Sequence, residues 1–159
     1  MKQLLFVLIG SFLLPTLVFA ASPVEQACMR QAYDFINQET ARISSAAKAM
    51  DTSSRVAALQ QSHFVFAENS KLFKTLPDDN CPADMQTLTN LCYEKLSAAA
   101  AQSEKLYDLA LSIGLAEGGE KTALIGDFNA TATVLQQLQP EVFDLLKQLN
   151  MYFDKQGVL

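Results

Sequence analysis

The sequence is poor in the residues that most metal sites and many catalytic sites use. It has one histidine, His63, and three cysteines, none of them in a Cys-x-x-Cys pair. Zinc sites with several histidines and haem attachment through Cys-x-x-Cys-His are therefore excluded. Glycine-rich phosphate loops and nucleophile elbows are absent as well. Any histidine-dependent mechanism would have to use His63, so we do not predict an enzyme.

Positive charge is also scarce. The chain of 159 residues has 12 basic and 17 acidic residues, and its acids are spread along its length. This balance argues against nucleic acid or an anionic membrane surface as the main partner. Only 6 glycines and 5 prolines occur, and half of the residues are apolar. That composition excludes collagen-like and generically disordered chains, and predicts an ordered globular domain.

The N-terminus has the pattern of an export signal. A single lysine precedes an apolar run over residues 4–14, which ends at Pro15. Small residues follow, so we expect cleavage between Ala20 and Ala21. An uncleaved membrane anchor is the alternative, but the proline and the small-residue exit fit a signal peptide better.

Cleavage of the signal peptide, residues 1–20, would leave one helical domain, residues 21–159. This mature chain has 11 basic and 17 acidic residues, a formal charge of −6. Its later segments are not apolar enough to span a bilayer. The sequence therefore predicts an exported protein, periplasmic or secreted, without a membrane span.

Apolar residues recur at spacings of three and four through the mature chain, and no β-type alternation persists. The pattern predicts four helices, over residues 23–51, 54–76, 82–114 and 120–155. The spacing in the last helix continues unchanged through Pro140, which favours one long helix with a kink there over two independent helices. Four amphipathic helices joined by short polar loops predict an all-α, up-down-up-down four-helix bundle.

Two groups of small residues refine this prediction. The alanines at 98–101 would let a neighbouring helix approach the third helix closely. Gly114, Gly118 and Gly119 are expected to end that helix and open a loop.

The three cysteines permit one disulfide, and export favours its formation. In an up-down bundle the start of the first helix lies beside the loop between the second and third helices, which brings Cys28 near Cys81. Cys92 would lie about 15 Å from Cys81 along the helix axis, beyond the reach of about 7 Å that a disulfide allows. We therefore predict a Cys28–Cys81 bond and a buried free thiol at Cys92, with Cys28–Cys92 as the alternative.

His63 lies on the apolar stripe of the second helix, and we interpret it as a hydrogen-bonded core or edge histidine. The alternative is a small-ligand or haem carrier that uses His63 in the bundle interior. The methionines that could then complete a haem site are Met29, Met50, Met85 and Met151. Because methionine at helical spacing usually fills a core, we predict no cofactor.

Oxygen ligands cluster before the third helix, at Asp78, Asp79, Asn80 and Asp84. The residue order of an EF-hand is missing, so we interpret the cluster as capping and dipole compensation at the start of a helix and predict no metal site.

Two helices carry more apolar residues than one stripe needs. The extra residues proposed as a surface are Phe64 and Leu72 in the second helix, and Phe143, Leu146 and Phe153 in the last. Either these helices are buried on two sides, or the surplus forms a docking surface for a partner protein or a second copy. Without a catalytic constellation, the sequence favours a noncatalytic protein-binding bundle, such as an inhibitor, immunity factor, chaperone or secreted interaction module.

Overall fold

The computed structural model describes residues 21–76 and 79–158, and the signal peptide predicted for residues 1–20 lies outside them. The described chain forms four helices and contains no strand: α1 (Pro23–Lys48), α2 (Arg55–Thr75), α3 (Ala83–Leu115) and α4 (Gly118–Lys155). The all-α, four-helix prediction is confirmed. Across the described ranges, no helix combines the length and the apolarity needed to cross a membrane.

Serine side chains fix the start of the first two helices. Ser22 Oγ accepts a hydrogen bond from the Glu25 backbone N–H at 3.2 Å, and the Glu25 carboxylate accepts one from the Ser22 N–H at 2.7 Å. Ser54 Oγ accepts a bond from the Ala57 N–H at 3.1 Å. Each bond satisfies a backbone donor that lacks a partner within the helix, so each helix begins at a defined residue.

The start of α3 differs from the prediction. Asp84 lies in its first turn, where the helix dipole favours a carboxylate. The N-cap is Pro82, however, and no side chain among the described residues, which leave out Asp78, caps this helix. The position of Asp84 therefore fits the predicted dipole compensation, whereas the described residues of the cluster form no side-chain cap.

The α3–α4 connection is shorter than the glycines suggested. Helix α3 continues through Gly114 to Leu115, α4 begins at Gly118, and only two residues join them. Gly118 has a φ of +56°, a left-handed conformation that glycine adopts without the steric cost of a Cβ. The loop predicted between residues 114 and 120 is thus shorter than expected. Gly118 and Gly119 belong to α4, because one left-handed residue is enough to reverse the chain.

Helix α4 is continuous through Pro140, which confirms the prediction of one long helix. Leu135, Val142 and Leu149 are all buried, so the core-facing register is the same on both sides of the proline. Pro140 itself is exposed. The kink at this residue stays a prediction.

Small residues bring α2 and α3 together, as the alanine run predicted. Ala99 is fully buried, and the Ala100 carbonyl oxygen lies 3.2 Å from His63 Nδ1 of α2. Nearer the disulfide end, about two turns along α2 and one turn along α3, the hydroxyls of Ser70 and Ser97 lie 2.6 Å apart. Helix α3 also packs along α4, and α1 packs along α2. The contacts are those of a bundle in which α3 is central.

The core divides into two clusters along the bundle. The larger one contains residues of all four helices and surrounds the Cys28–Cys81 end. The smaller one is built on Ala99, Leu106 and Leu135 and receives side chains from α2, α3 and α4 only. Because α1 ends at Lys48, the bundle has three helices at the end away from the disulfide.

Candidate partner-binding groove

Cys28 and Cys81 form a disulfide with a Cα–Cα distance of 5.3 Å, which confirms the predicted pairing. Cys92 is a free thiol within the core and is 1% exposed. Burial raises the pKa of the Cys92 thiol to about 12, because the thiolate would have to lose its hydration. Cys92 therefore stays protonated at neutral pH and contributes packing rather than nucleophilic chemistry.

His63 is half-buried, and its Nδ1 lies 3.2 Å from the Ala100 carbonyl oxygen, as expected for a hydrogen-bonded edge histidine. Met85 lies 15 residues before Ala100 on the same helix, or about 22 Å along its axis. Met29 is fully buried beside the disulfide-bonded Cys28, at the same end as Met85. Neither methionine can share an iron atom with His63. Within residues 21–76 and 79–158, no group of three or more histidine, cysteine or acidic side chains could hold a metal ion.

The structure separates the five predicted surface residues. Phe143 is 68% and Leu146 37% exposed, whereas Phe64 is partly buried against the larger core cluster. Leu72 and Phe153 are 4% and 2% exposed and belong to the core. The prediction that Leu72 and Phe153 belong to a docking surface is therefore wrong, because both lie in the core. Phe153 packs edge to face against Tyr33 of α1, which covers it.

The exposed side of Leu146 borders an open groove between α1 and α4. The groove has a volume of about 230 Å³. It is lined by Tyr33, Ile36, Asn37 and Thr40 of α1, Asn69 and Phe73 of α2, and Leu146, Leu149, Asn150 and Phe153 of α4. We call this set the α1–α4 groove. It exists because α1 packs more sparsely than the other helices: its contact with α2 is much less extensive than the α2–α3 and α3–α4 contacts, and the Tyr33–Phe153 ring pair joins it to α4.

The α1–α4 groove adjoins a second recess of about 310 Å³ between α1 and α2. Thr40 and Asn69 line both, and the second recess ends near Lys48 and Gln61. From Tyr33 to Lys48 the two recesses follow α1 for about 22 Å. Their linings therefore adjoin along about four turns of α1.

The floor and rims of the α1–α4 groove differ in chemistry. Phe73 and Leu149 are buried and give it an apolar floor. Asn37 and Asn150 are exposed on opposite rims, one on α1 and the other on α4. No charged side chain lines this groove among the described residues. The arrangement suits an apolar partner side chain flanked by groups that hydrogen-bond to amides.

Sequence reasoning found the α4 side of the groove but missed α1. Leu146 was identified because it exceeds the needs of one stripe. Thr40 lies at helical spacing from Ile36 and Ile43, on the apolar stripe of the first helix, yet it is exposed and lines the groove. A polar residue within an otherwise apolar stripe was the available signal that α1 is incompletely covered.

Comparison with protein-family models, with curated proteins and with solved structures finds no match to this chain.

Proposed function

We propose that this protein is a noncatalytic, exported helical bundle that binds another protein through the α1–α4 groove. The observation that carries the proposal is the incomplete packing of α1 against α4, which leaves Leu146 exposed above an apolar floor. An exposed apolar side chain next to a preformed apolar groove is a common feature of protein-binding surfaces.

We propose that the occupant is one amphipathic helix of the partner. A groove and recess of about 22 Å match four turns of helix, and the apolar floor would receive side chains repeated at spacings of three and four. The exposed amides of Asn37 and Asn150 would lie at the rims, where partner side chains remain polar. The neutral lining of the α1–α4 groove favours an apolar anchor over a charged one there.

The disulfide supports the exported location. Cys28 and Cys81 are separated by 53 residues, and such bonds persist in oxidising compartments such as the periplasm or the extracellular space. The chain therefore has a feature that is useful after export and rare in the cytosol.

A capture experiment with three baits tests the proposal. The exported chain, a Leu146→Glu variant and a Met151→Glu control are each incubated with native-host extract, and bound proteins are quantified by mass spectrometry. Met151 is 60% exposed and does not line the groove, so the control adds the same charge to α4 elsewhere.

A partner should be retained by the unmodified chain and by Met151→Glu, and lost from Leu146→Glu. Sedimentation of the pure protein provides the second measurement. The proposal is overturned if no captured protein depends on Leu146 while both variants remain folded, or if Leu146 supports only self-association.

A further inference from the structure

A second cleft lies at the three-helix end of the bundle, away from the disulfide. It has a volume of about 360 Å³. Its apolar lining comes from Val56 and Leu59 of α2, Ala110 and Ile113 of α3, and Phe128 of α4. We call it the distal cleft. All five side chains are half-buried, so the cleft presents a continuous apolar surface that is open to solvent on one side.

Two cations frame the distal cleft. Arg55, the first residue of α2, and Lys121, in the first turn of α4, both line it and are exposed. In the described part of the chain, the ion pairs use Arg42, Lys71 and Lys95, and neither cleft cation takes part in one. An apolar cleft is thus bordered by two positive charges that are available to a ligand.

Among the described residues, no neighbouring acid forms an ion pair with Arg55 or Lys121. Glu120 lines a different cleft with Leu115 and Leu124. Asp51, in the loop before α2, accepts hydrogen bonds from the Ser53 N–H and hydroxyl. The first turn of α2 contains no acidic residue, so the helix dipole adds to the positive potential near Arg55.

We propose that the distal cleft binds a single-chain anionic amphiphile, with its aliphatic chain on the apolar lining and its head group between Arg55 and Lys121. A carboxylate and a phosphate monoester share the required chemistry, because both accept charge-assisted hydrogen bonds from arginine and lysine. A volume near the lower end of the range for small-molecule sites favours one short chain over a two-chain lipid. The site lies outside the α1–α4 groove and is independent of the function proposed for it.

Gly114 provides a way to block the cleft without disturbing the fold. It lines the cleft near the end of α3, and a Cβ added there meets no heavy atom within 4 Å. Gly114→Leu therefore adds a bulky side chain beside the cleft from a Cβ that meets no neighbour, and it removes a residue that is unfavourable in a helix.

Calorimetric titration of the exported chain tests the proposal with two anionic probes, decanoate and decyl phosphate, each below its micelle concentration. Decanol, which has the same chain and no charge, and acetate, which has the charge and no chain, are the reference ligands. We expect saturable binding of at least one anionic probe, weaker binding of both reference ligands, and an affinity that falls as salt is added.

Three variants separate the contribution of charge to ligand binding from the contribution of cleft shape. Arg55→Gln with Lys121→Gln should weaken binding of the anionic probe by about five- to tenfold. Arg30→Gln with Lys74→Gln, which removes two exposed cations outside the cleft, should leave it unchanged. Gly114→Leu should weaken the same probe with no fall in melting temperature. Absence of binding by both anionic probes, equal binding of decanol, or equal losses in the two double variants would overturn the proposal.

Discussion

The ring of Tyr33 on α1 packs edge to face against the ring of Phe153 on α4, with their centroids 5.4 Å apart. This contact joins the first and last helices near the disulfide end of the bundle. Beyond it the side chains of the two helices separate and line the α1–α4 groove. The Tyr33–Phe153 pair therefore forms the end of the groove that lies nearest the disulfide.

Phe153→Ala should lower the free energy of unfolding by about 3 to 5 kcal/mol, because it removes a fully buried aromatic side chain and leaves a cavity. The matched control is Met151→Ala, two residues away and 60% exposed, which should change it by less than about 0.5 kcal/mol. Urea denaturation measures both. Equal losses in the two variants would contradict the assignment of Phe153 to the core.

Removal of the disulfide should lower the free energy of unfolding by about as much as Phe153→Ala. Cys28→Ala with Cys81→Ala opens a covalent loop of 53 residues, and we expect the free energy of unfolding to fall by about 4 kcal/mol. Reduction of the unmodified protein should have a similar effect, and nonreducing peptide mapping should link Cys28 to Cys81. An unchanged unfolding midpoint after reduction would mean that the bond contributes little.

Because the thiol of Cys92 is buried, the stability of the protein should depend on pH at alkaline values. The pKa of Cys92 is about 12 in the folded state against an ordinary value of 9.0, so between these values the unfolded chain loses the proton and the folded chain keeps it. Stability should consequently fall as the pH rises from 9 towards 12. Cys92→Ala should have a shallower decline over the same range. Identical pH profiles for the two proteins would show that Cys92 does not carry this effect.

Alkylation gives an independent measurement of the same thiol. Because Cys92 is 1% exposed and protonated, iodoacetamide at pH 8 should modify it only after denaturant is added. Rapid labelling of the native protein would require an opening of the core that its packing does not suggest.

The sequence contained enough information for the helices and the disulfide. Helical spacing alone located α4 on both sides of Pro140, since the core residues keep their register there. Cys28 and Cys81 could be paired because alternating helix directions place them at one end of a bundle. Both inferences depend on local periodicity and connectivity, which a single chain records directly.

The sequence could not decide which residues of a broad apolar arc face outward. Phe143 and Phe153 are both aromatic and lie ten residues apart on α4, yet one is 68% exposed and the other 2%. Their difference depends on how α1 packs against α4, with Tyr33 covering Phe153. The way two helices pack against each other cannot be predicted from the spacing of apolar residues within either one. The α1 side of the groove was missed for the same reason.

Hydrogen exchange of the complex with the partner identified through Leu146 tests the location of the binding site most directly. Binding to the α1–α4 groove should slow amide exchange over residues 33–48 of α1 and 143–153 of α4, because local opening of these segments would require the partner to dissociate. Exchange at the three-helix end, over residues 105–128, should be unchanged. Slowed exchange confined to that end, with residues 33–48 unaffected, would contradict the assignment of partner binding to the groove.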